Sequence, residues 1–169
     1  VHFAAGMTLT APGTPMFFMG EEVGAAHPYR YDDFRAGRDT REDLPGLRNG
    51  IGANLFRFYA DLIRLRLAHP SLRGRNCEIV HTDDNNRMFA FRRRSAGEDI
   101  LVIGSLNNWA FRSGYRFQDT RIADGQWREI FNSDASIYGG ADLRNTGNIA
   151  STGGVVIVNV PANCLIVLQ

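Results

Sequence analysis

Cysteine is nearly absent. Cys77 and Cys164 are the only two in 169 residues, far apart and with no CxxC pair, so nothing here forms a disulfide framework. Each sits in an apolar, strand-like run, and both are expected as buried free thiols. The four histidines, His2, His27, His69 and His81, are scattered, with no HExxH pattern and no cysteine at ligand spacing, so no metal and no cofactor is expected. A surplus of charge is missing too. Nineteen Lys and Arg against 18 Asp and Glu leave a formal net charge of +1, which offers no long-range attraction for nucleic acid or an anionic membrane surface. No run of 18 apolar residues spans a bilayer, and the N-terminus lacks the charged start and apolar stretch of a secretory signal. These absences lead to the expectation of a cytoplasmic chain without membrane or nucleic-acid partners. Gly50-Ile51-Gly52 lacks the third glycine of a dinucleotide-binding turn, Leu55 holding that place, and reads as a turn into a helix.

What is present is a core-forming composition, 44% hydrophobic, with 18 Gly and 6 Pro that suit a loop-rich but ordered chain. The chain begins with Val1 and enters an apolar stretch at once, which leads to the expectation that it is a piece of something longer. Residues 1–13 read as the tail of a helix broken by Pro12-Gly13. Residues 15–19, Pro-Met-Phe-Phe-Met, are continuously apolar, as a strand of a parallel sheet covered on both faces would be. A polar segment from 24 to 49 follows, long for a connection inside a compact domain. The spacing of Leu55, Tyr59, Leu62, Ile63 and Leu67 predicts an amphipathic helix over residues 54–67, stopped at His69-Pro70.

Beyond Pro70 the apolar period changes from 3.6 to about 2, which marks a boundary. A linker is expected at 71–75, and strands at 76–82, 87–93, 99–106, 114–117, 127–132, 155–160 and 164–168, with turn residues between them. Short strands at this spacing with no helical pattern between them indicate an antiparallel sandwich. The expected fold is therefore mainly β: an antiparallel β-sandwich over residues 76–169, preceded by a helical part with a single buried strand over residues 1–70. Phe89 and Phe91 should face the core, with Ala90 and Arg92 on the other side.

Candidate functional residues are few. Glu21 and Glu22 follow the apolar run directly, where strand ends in α/β enzymes collect their chemistry. Adjacent carboxylates rarely face one site, so one glutamate ordering the loop and the other solvated is the plainer reading. Asp32-Asp33 and Asp83-Asp84 read as solvated turn acids. Arg92-Arg93-Arg94 reads as an edge that resists pairing. Trp109 and Tyr115 are candidate sugar-stacking aromatics; Trp127 alternates with Glu129 and Phe131 and reads as core.

Residues 11–24, Ala-Pro-Gly-Thr-Pro-Met-Phe-Phe-Met-Gly-Glu-Glu-Val-Gly, resemble the passage into the last strand of the catalytic barrel in the α-amylase superfamily of glycoside hydrolases. Phe131-Asn132-Ser133-Asp134-Ala135 with Tyr138-Gly139-Gly140, and the ending from Val160 to Leu168, are similar to the C-terminal β domain of glycogen or starch branching enzymes. The resemblance implies that residues 1–70 are the remnant of a (β/α)8 barrel, its last strand and flanking helices, with the rest of that barrel as partner. It implies an α-1,4 to α-1,6 glucan chain transfer through a covalent intermediate on an aspartate, with a glutamate as acid/base and a second aspartate. Those carboxylates lie on earlier barrel strands in the family and match no residue here, so no catalytic residue is assigned and the chain alone is expected to be inactive. Glu21, Glu22, Tyr29, Tyr31, Trp109 and Tyr115 remain as residues that could contact an α-glucan such as glycogen, starch or a maltooligosaccharide, Tyr29 and Tyr31 through a loop at the barrel mouth. The alternatives are a stand-alone carbohydrate-binding sandwich, or the same region of an amylase or a trehalose-forming hydrolase.

Overall fold

The computed structural model describes residues 1–26, 42–95 and 97–169. Helix α1 spans His2–Thr10, and a single 3-10 turn spans Glu21–Val23. Helix α2, Leu44–Asn49, lies inside the segment that reads as a loop. Asp43 starts it by accepting the Gly46 N–H at 2.9 Å, and Pro45 occupies the first turn, where its missing N–H is not needed. Helix α3, Ala53–Ala68, follows the predicted amphipathic pattern. It ends because His69 precedes a proline and is held extended, at φ −108° and ψ 105°. The next four residues, Pro70–Arg73, form a short helix α4 where a linker is expected, since Pro70 supplies the φ of a first helical position.

The strands are β1 (Glu78–Asp83), β2 (Met88–Ser95), β3 (Glu98–Ser105), β4 (Phe111–Gln118), β5 (Gly125–Trp127), β6 (Glu129–Asn132), β7 (Ile149–Thr152), β8 (Val155–Val160) and β9 (Leu165–Leu168). They pair antiparallel in two sheets, β1-β2-β3-β9-β6 and β4-β8-β7-β5. The expected strand over 127–132 is in fact two: the chain changes sheets at Arg128, so that Trp127 and Phe131 serve different layers. Strand β7, Ile-Ala-Ser-Thr, was hidden by its polar composition and is defined by pairing with β5 and β8.

The molecule has three layers. One apolar core lies between the two sheets, where Val80, Ala90, Leu101, Ile103, Phe117, Trp127, Val156 and Ile166 meet. A second lies on the opposite face of the first sheet, where Phe91, Ile100, Val102, Leu165 and Val167 pack against Phe58 and Leu62 of α3 and Leu72 of α4. Strands β3 and β9 are thus covered on both faces, which explains their continuous apolar runs in an antiparallel sheet. The apolar face of α3 is covered by the chain's own sheet.

Residues 15–19 have no ladder partner among the described residues, and Met16 is 84% and Phe18 59% exposed; a ladder needs a neighbour, and the described strands are committed to the two sheets. Three further expectations are corrected. Ala90 faces the inter-sheet core while Phe91 faces the helices, so both sides of β2 are core. Arg92-Arg93-Arg94 is no edge device, because β2 lies between β1 and β3. Cys77 precedes β1 and is exposed, whereas Cys164 is a buried free thiol.

Candidate functional site

The joint between the helices and the first sheet is where the polar chemistry concentrates. Arg93, fully buried on β2, donates from Nε to the Asn76 carbonyl at 2.8 Å and from Nη2 to those of Leu72 (3.2 Å) and Gly74 (2.6 Å). Its Nη1 donates to the carbonyl of Thr10 at the end of α1. Arg66 of α3 donates to the Leu9, Ala11 and Gly13 carbonyls at 2.8, 3.0 and 2.6 Å. Two guanidinium groups therefore occupy the C-terminus of α1, where unpaired carbonyls and the negative end of the helix dipole offset their charge. Burial pulls both guanidinium pKa values down. Glu98 ties the same region from β3, accepting from His69 Nδ1 and from the Ser71 N–H, each at 2.7 Å. Burial alone would raise the Glu98 pKa, but the bonds from Ser71 and His69 outweigh it and leave it lowered.

The Asn-Ser-Asp and Tyr-Gly-Gly strings belong to this joint. The Asp134 carboxylate accepts the N–H groups of Ala141 and Leu143, each at 3.0 Å, and Ser133 Oγ accepts that of Leu165 at 2.9 Å. Tyr138 packs edge-on against Phe58 and donates its hydroxyl to Asp61 of α3 at 2.9 Å. Burial, then the Asp61 carboxylate, push that phenol upward. A side chain at position 140 would meet the Asp134 carbonyl oxygen at 2.1 Å, which accounts for Gly140. These strings are thus a buckle between loop and helix, made of groups already fully engaged.

The six residues singled out from the sequence do not form one site. Tyr29 and Tyr31 lie outside the described residues. Glu22 accepts the Gly20 N–H at 2.9 Å, ordering the turn before it, and Glu21 is exposed. Both charges act on Tyr59, whose phenol is raised first by burial and then by Glu21 and Glu22. Glu21 and Tyr59 share a groove of about 460 Å³ with Val1, Leu9, Met16 and Phe17. Tyr115 is on the sandwich, its hydroxyl donating to Asp83 at 2.6 Å with His81 Nε2 at 3.1 Å, and its ring between Phe111 and Phe117. Bonds from Asn86 and Tyr115 lower the Asp83 pKa to about 2. Trp109 stands on the β3–β4 turn, 61% exposed. The joint itself escaped the sequence reading, because nothing local distinguishes a buried Arg93 from its exposed neighbour Arg94.

Residues 72–169 match the family model for the alpha amylase C-terminal all-beta domain. The chain belongs to that family. The chain is similar to the 1,4-alpha-glucan branching enzyme GlgB of Cereibacter sphaeroides, 32% identical over 151 residues, 85% of this chain and 19% of that protein. GlgB 1 of Xanthomonas euvesicatoria is 33% identical over 153 residues, 86% of this chain and 20% of that one. The chain thus spans about a fifth of the curated relatives it matches. Among solved structures, the debranching enzyme from Nostoc punctiforme superposes with a TM-score of 0.69 at 16% identity, over 99% of this chain and 30% of that one. The alpha-amylase from H.orenii does so at 0.61 and 22% identity, over 99% and 34%. The matches bear out the resemblance to the α-amylase superfamily and to its branching enzymes, and the two antiparallel sheets bear out the mainly β architecture. No described helix is long and apolar enough to cross a membrane.

Proposed function

We propose that this alpha amylase C-terminal all-beta domain is the C-terminal region of a cytoplasmic 1,4-α-glucan branching enzyme, which moves α-1,4-linked glucan segments to 6-hydroxyl acceptors. In this reading residues 1–70 end a catalytic (β/α)8 barrel, residues 71–75 connect, and residues 76–169 form the β domain. The chain's own part is mechanical. Arg66 ties α3 to the end of α1, and the sandwich holds both helices through Arg93, Glu98 and Tyr138, which together fix the passage that follows α1. The observation that carries this is the outward presentation of Met16, Phe18 and Met19, 84%, 59% and 62% exposed, by a segment whose preceding helix is clamped at its C-terminus. An apolar run so displayed suits a strand that pairs with the remainder of a barrel. Glu21, Glu22, Tyr29 and Tyr31 would stand at the mouth of that barrel and contact glucan there.

The catalytic carboxylates of the superfamily have no counterpart in this chain, so the purified 169 residues should leave amylose unchanged. Iodine absorbance should stay constant and no α-1,6 linkage should form; either change would overturn the mechanical role. The branching reading itself is tested on the enclosing open reading frame, expressed whole. New α-1,6 linkages from amylose support it, and hydrolysis to short sugars without branching refutes it in favour of an amylase.

A further inference from the structure

The passage from α1 to the Glu21–Val23 turn is attached to a single helix at its start, middle and end. At the start Arg66 of α3, itself buried, donates from Nη1 to the Leu9 and Ala11 carbonyls and from Nη2 to that of Gly13. In the middle the Phe17 ring lies against Tyr59, with centroids 5.1 Å apart. At the end the Val23 carbonyl rests on Gly52, the residue before α3, so closely that a Cβ there would stand 2.3 Å from the oxygen. Gly52, Tyr59 and Arg66 are seven residues apart. Each step is two helical turns less about 20°, so the three lie along one stripe of α3, about 21 Å from end to end. Between these points the passage does not hold itself. Residues 16–19 are exposed and have no ladder partner among the described residues. The turn's own bonds are local: the Gly20 N–H to Glu22 Oε2 at 2.9 Å, and the Val23 and Ala25 N–H groups to the Gly20 carbonyl at 3.1 and 2.9 Å. The turn therefore stands where α3 puts it.

We infer that Arg66 is a positioning residue for glucan binding: by fixing the start of the passage to the stripe of α3 that carries its end, it sets the Glu21–Val23 turn against the substrate. Arg66 itself touches no glucan and acts only through the turn. A guanidinium fork suits the task because it grips carbonyls on both sides of Pro12 at once, which an ammonium on a flexible stem cannot do in one geometry. Arg93 does not duplicate it, since within this stretch it reaches only the Thr10 carbonyl, inside α1. Arg93 does keep α1 docked when Arg66 is removed, and the part-buried Ala11 and Gly13 bonds can be replaced by water. Loss of Arg66 thus frees the passage more than it weakens the fold. A shift of about 1 Å from a remote change can cost about a hundredfold, and a turn still attached at Tyr59 and Gly52 moves less, so an effect of about tenfold is expected. That the turn faces glucan rests on the branching-enzyme reading; its attachment to α3 does not.

The test uses the enclosing open reading frame, expressed whole, with amylose as substrate. Arg66→Met should raise KM about tenfold while kcat per folded molecule changes less, since the superfamily's catalytic carboxylates stand on other strands. Arg66→Lys should fall between wild type and Arg66→Met. Tyr138→Phe, which loosens α3 from the sandwich without touching the passage, should lower the melting temperature and leave KM unchanged. Hydrogen exchange read by mass spectrometry gives a measurement independent of turnover: in Arg66→Met the amides of residues 20–25 should exchange about tenfold faster, and those of β3 at the wild-type rate. A lower melting temperature with KM unchanged, or with exchange over residues 20–25 unchanged, overturns the inference. If Arg66→Met does not accumulate, Arg66→Lys decides between the same outcomes through a smaller rise in KM. Hydrolysis of amylose by the wild type without new α-1,6 linkages removes the branching reading and leaves KM readable, so Arg66 is judged all the same. Branching by the wild type with KM unaltered in Arg66→Met does the reverse.

Discussion

Replacing Arg93 by methionine tests the joint most directly. The guanidinium is fully buried and donates to four backbone carbonyls, those of Thr10, Leu72, Gly74 and Asn76. Methionine keeps much of the volume and removes the desolvation of a charge, which for a buried side-chain ion pair can make such a change neutral. That compensation fails here because the acceptors are main-chain groups and stay behind. The bonds to Thr10 and Leu72 are buried, whereas those to Gly74 and Asn76 are partly open and can turn to water. Two dry carbonyls at about 1–3 kcal/mol each, plus lost packing, give a destabilisation of about 3–5 kcal/mol. That is a large share of the roughly 5–15 kcal/mol that holds a domain together. Urea unfolding followed by circular dichroism reads the change, with Arg94→Met as the exposed control expected within about 0.5 kcal/mol of wild type. Arg93→Lys should recover only part, since an ammonium cannot reproduce the planar fork. An Arg93→Met chain within about 1 kcal/mol of wild type would refute the reasoning.

Tyr138→Phe removes the bond to Asp61 and keeps the ring against Phe58, so it should lower stability by about 1 kcal/mol in the same urea titration; no change would mean that water serves Asp61 equally well. Asp83 has a folded pKa near 2, below its ordinary 3.8, so the unfolded chain binds the proton first. Its stabilising contribution is present above about pH 4 and lost as pH falls toward 2. Asp83→Asn should flatten the stability profile across that window, and an unaltered slope between pH 4 and 2 would contradict the Tyr115 and Asn86 bonds.

Legibility followed the range of the interactions. Helix α3 was readable because Leu55, Tyr59 and Leu62 repeat at 3.6 residues, and most strands because apolar residues alternate or run between turn signals. Strand β7 was not, since Ser151 and Thr152 carry no apolar pattern and only the partners on either side define it. Residues 15–19 show the opposite case: their composition suits a strand, but pairing is a property of the neighbour, and no described strand lies beside them. Glu21 and Glu22 were visible as acids after an apolar run, while the groove shared by Glu21 with Tyr59 joins residues distant in sequence. Trp109 and Tyr115 looked equivalent in the sequence. One stands in solvent and the other is hydrogen-bonded to Asp83, a difference set by the strand opposite.

By itself the sequence determined the period change at Pro70, the strand-rich C-terminal part and the superfamily, because these depend on local spacing and contiguous strings. Only the tertiary structure decided that the first sheet is covered on both faces, that α3 belongs to the sandwich, and that Arg93 is buried while Arg94 is not. Those outcomes depend on which carbonyls and apolar faces arrive from elsewhere in the chain. The C-terminus of α1 meets Arg93 across more than eighty residues, and a separation of that size leaves no trace in any local window.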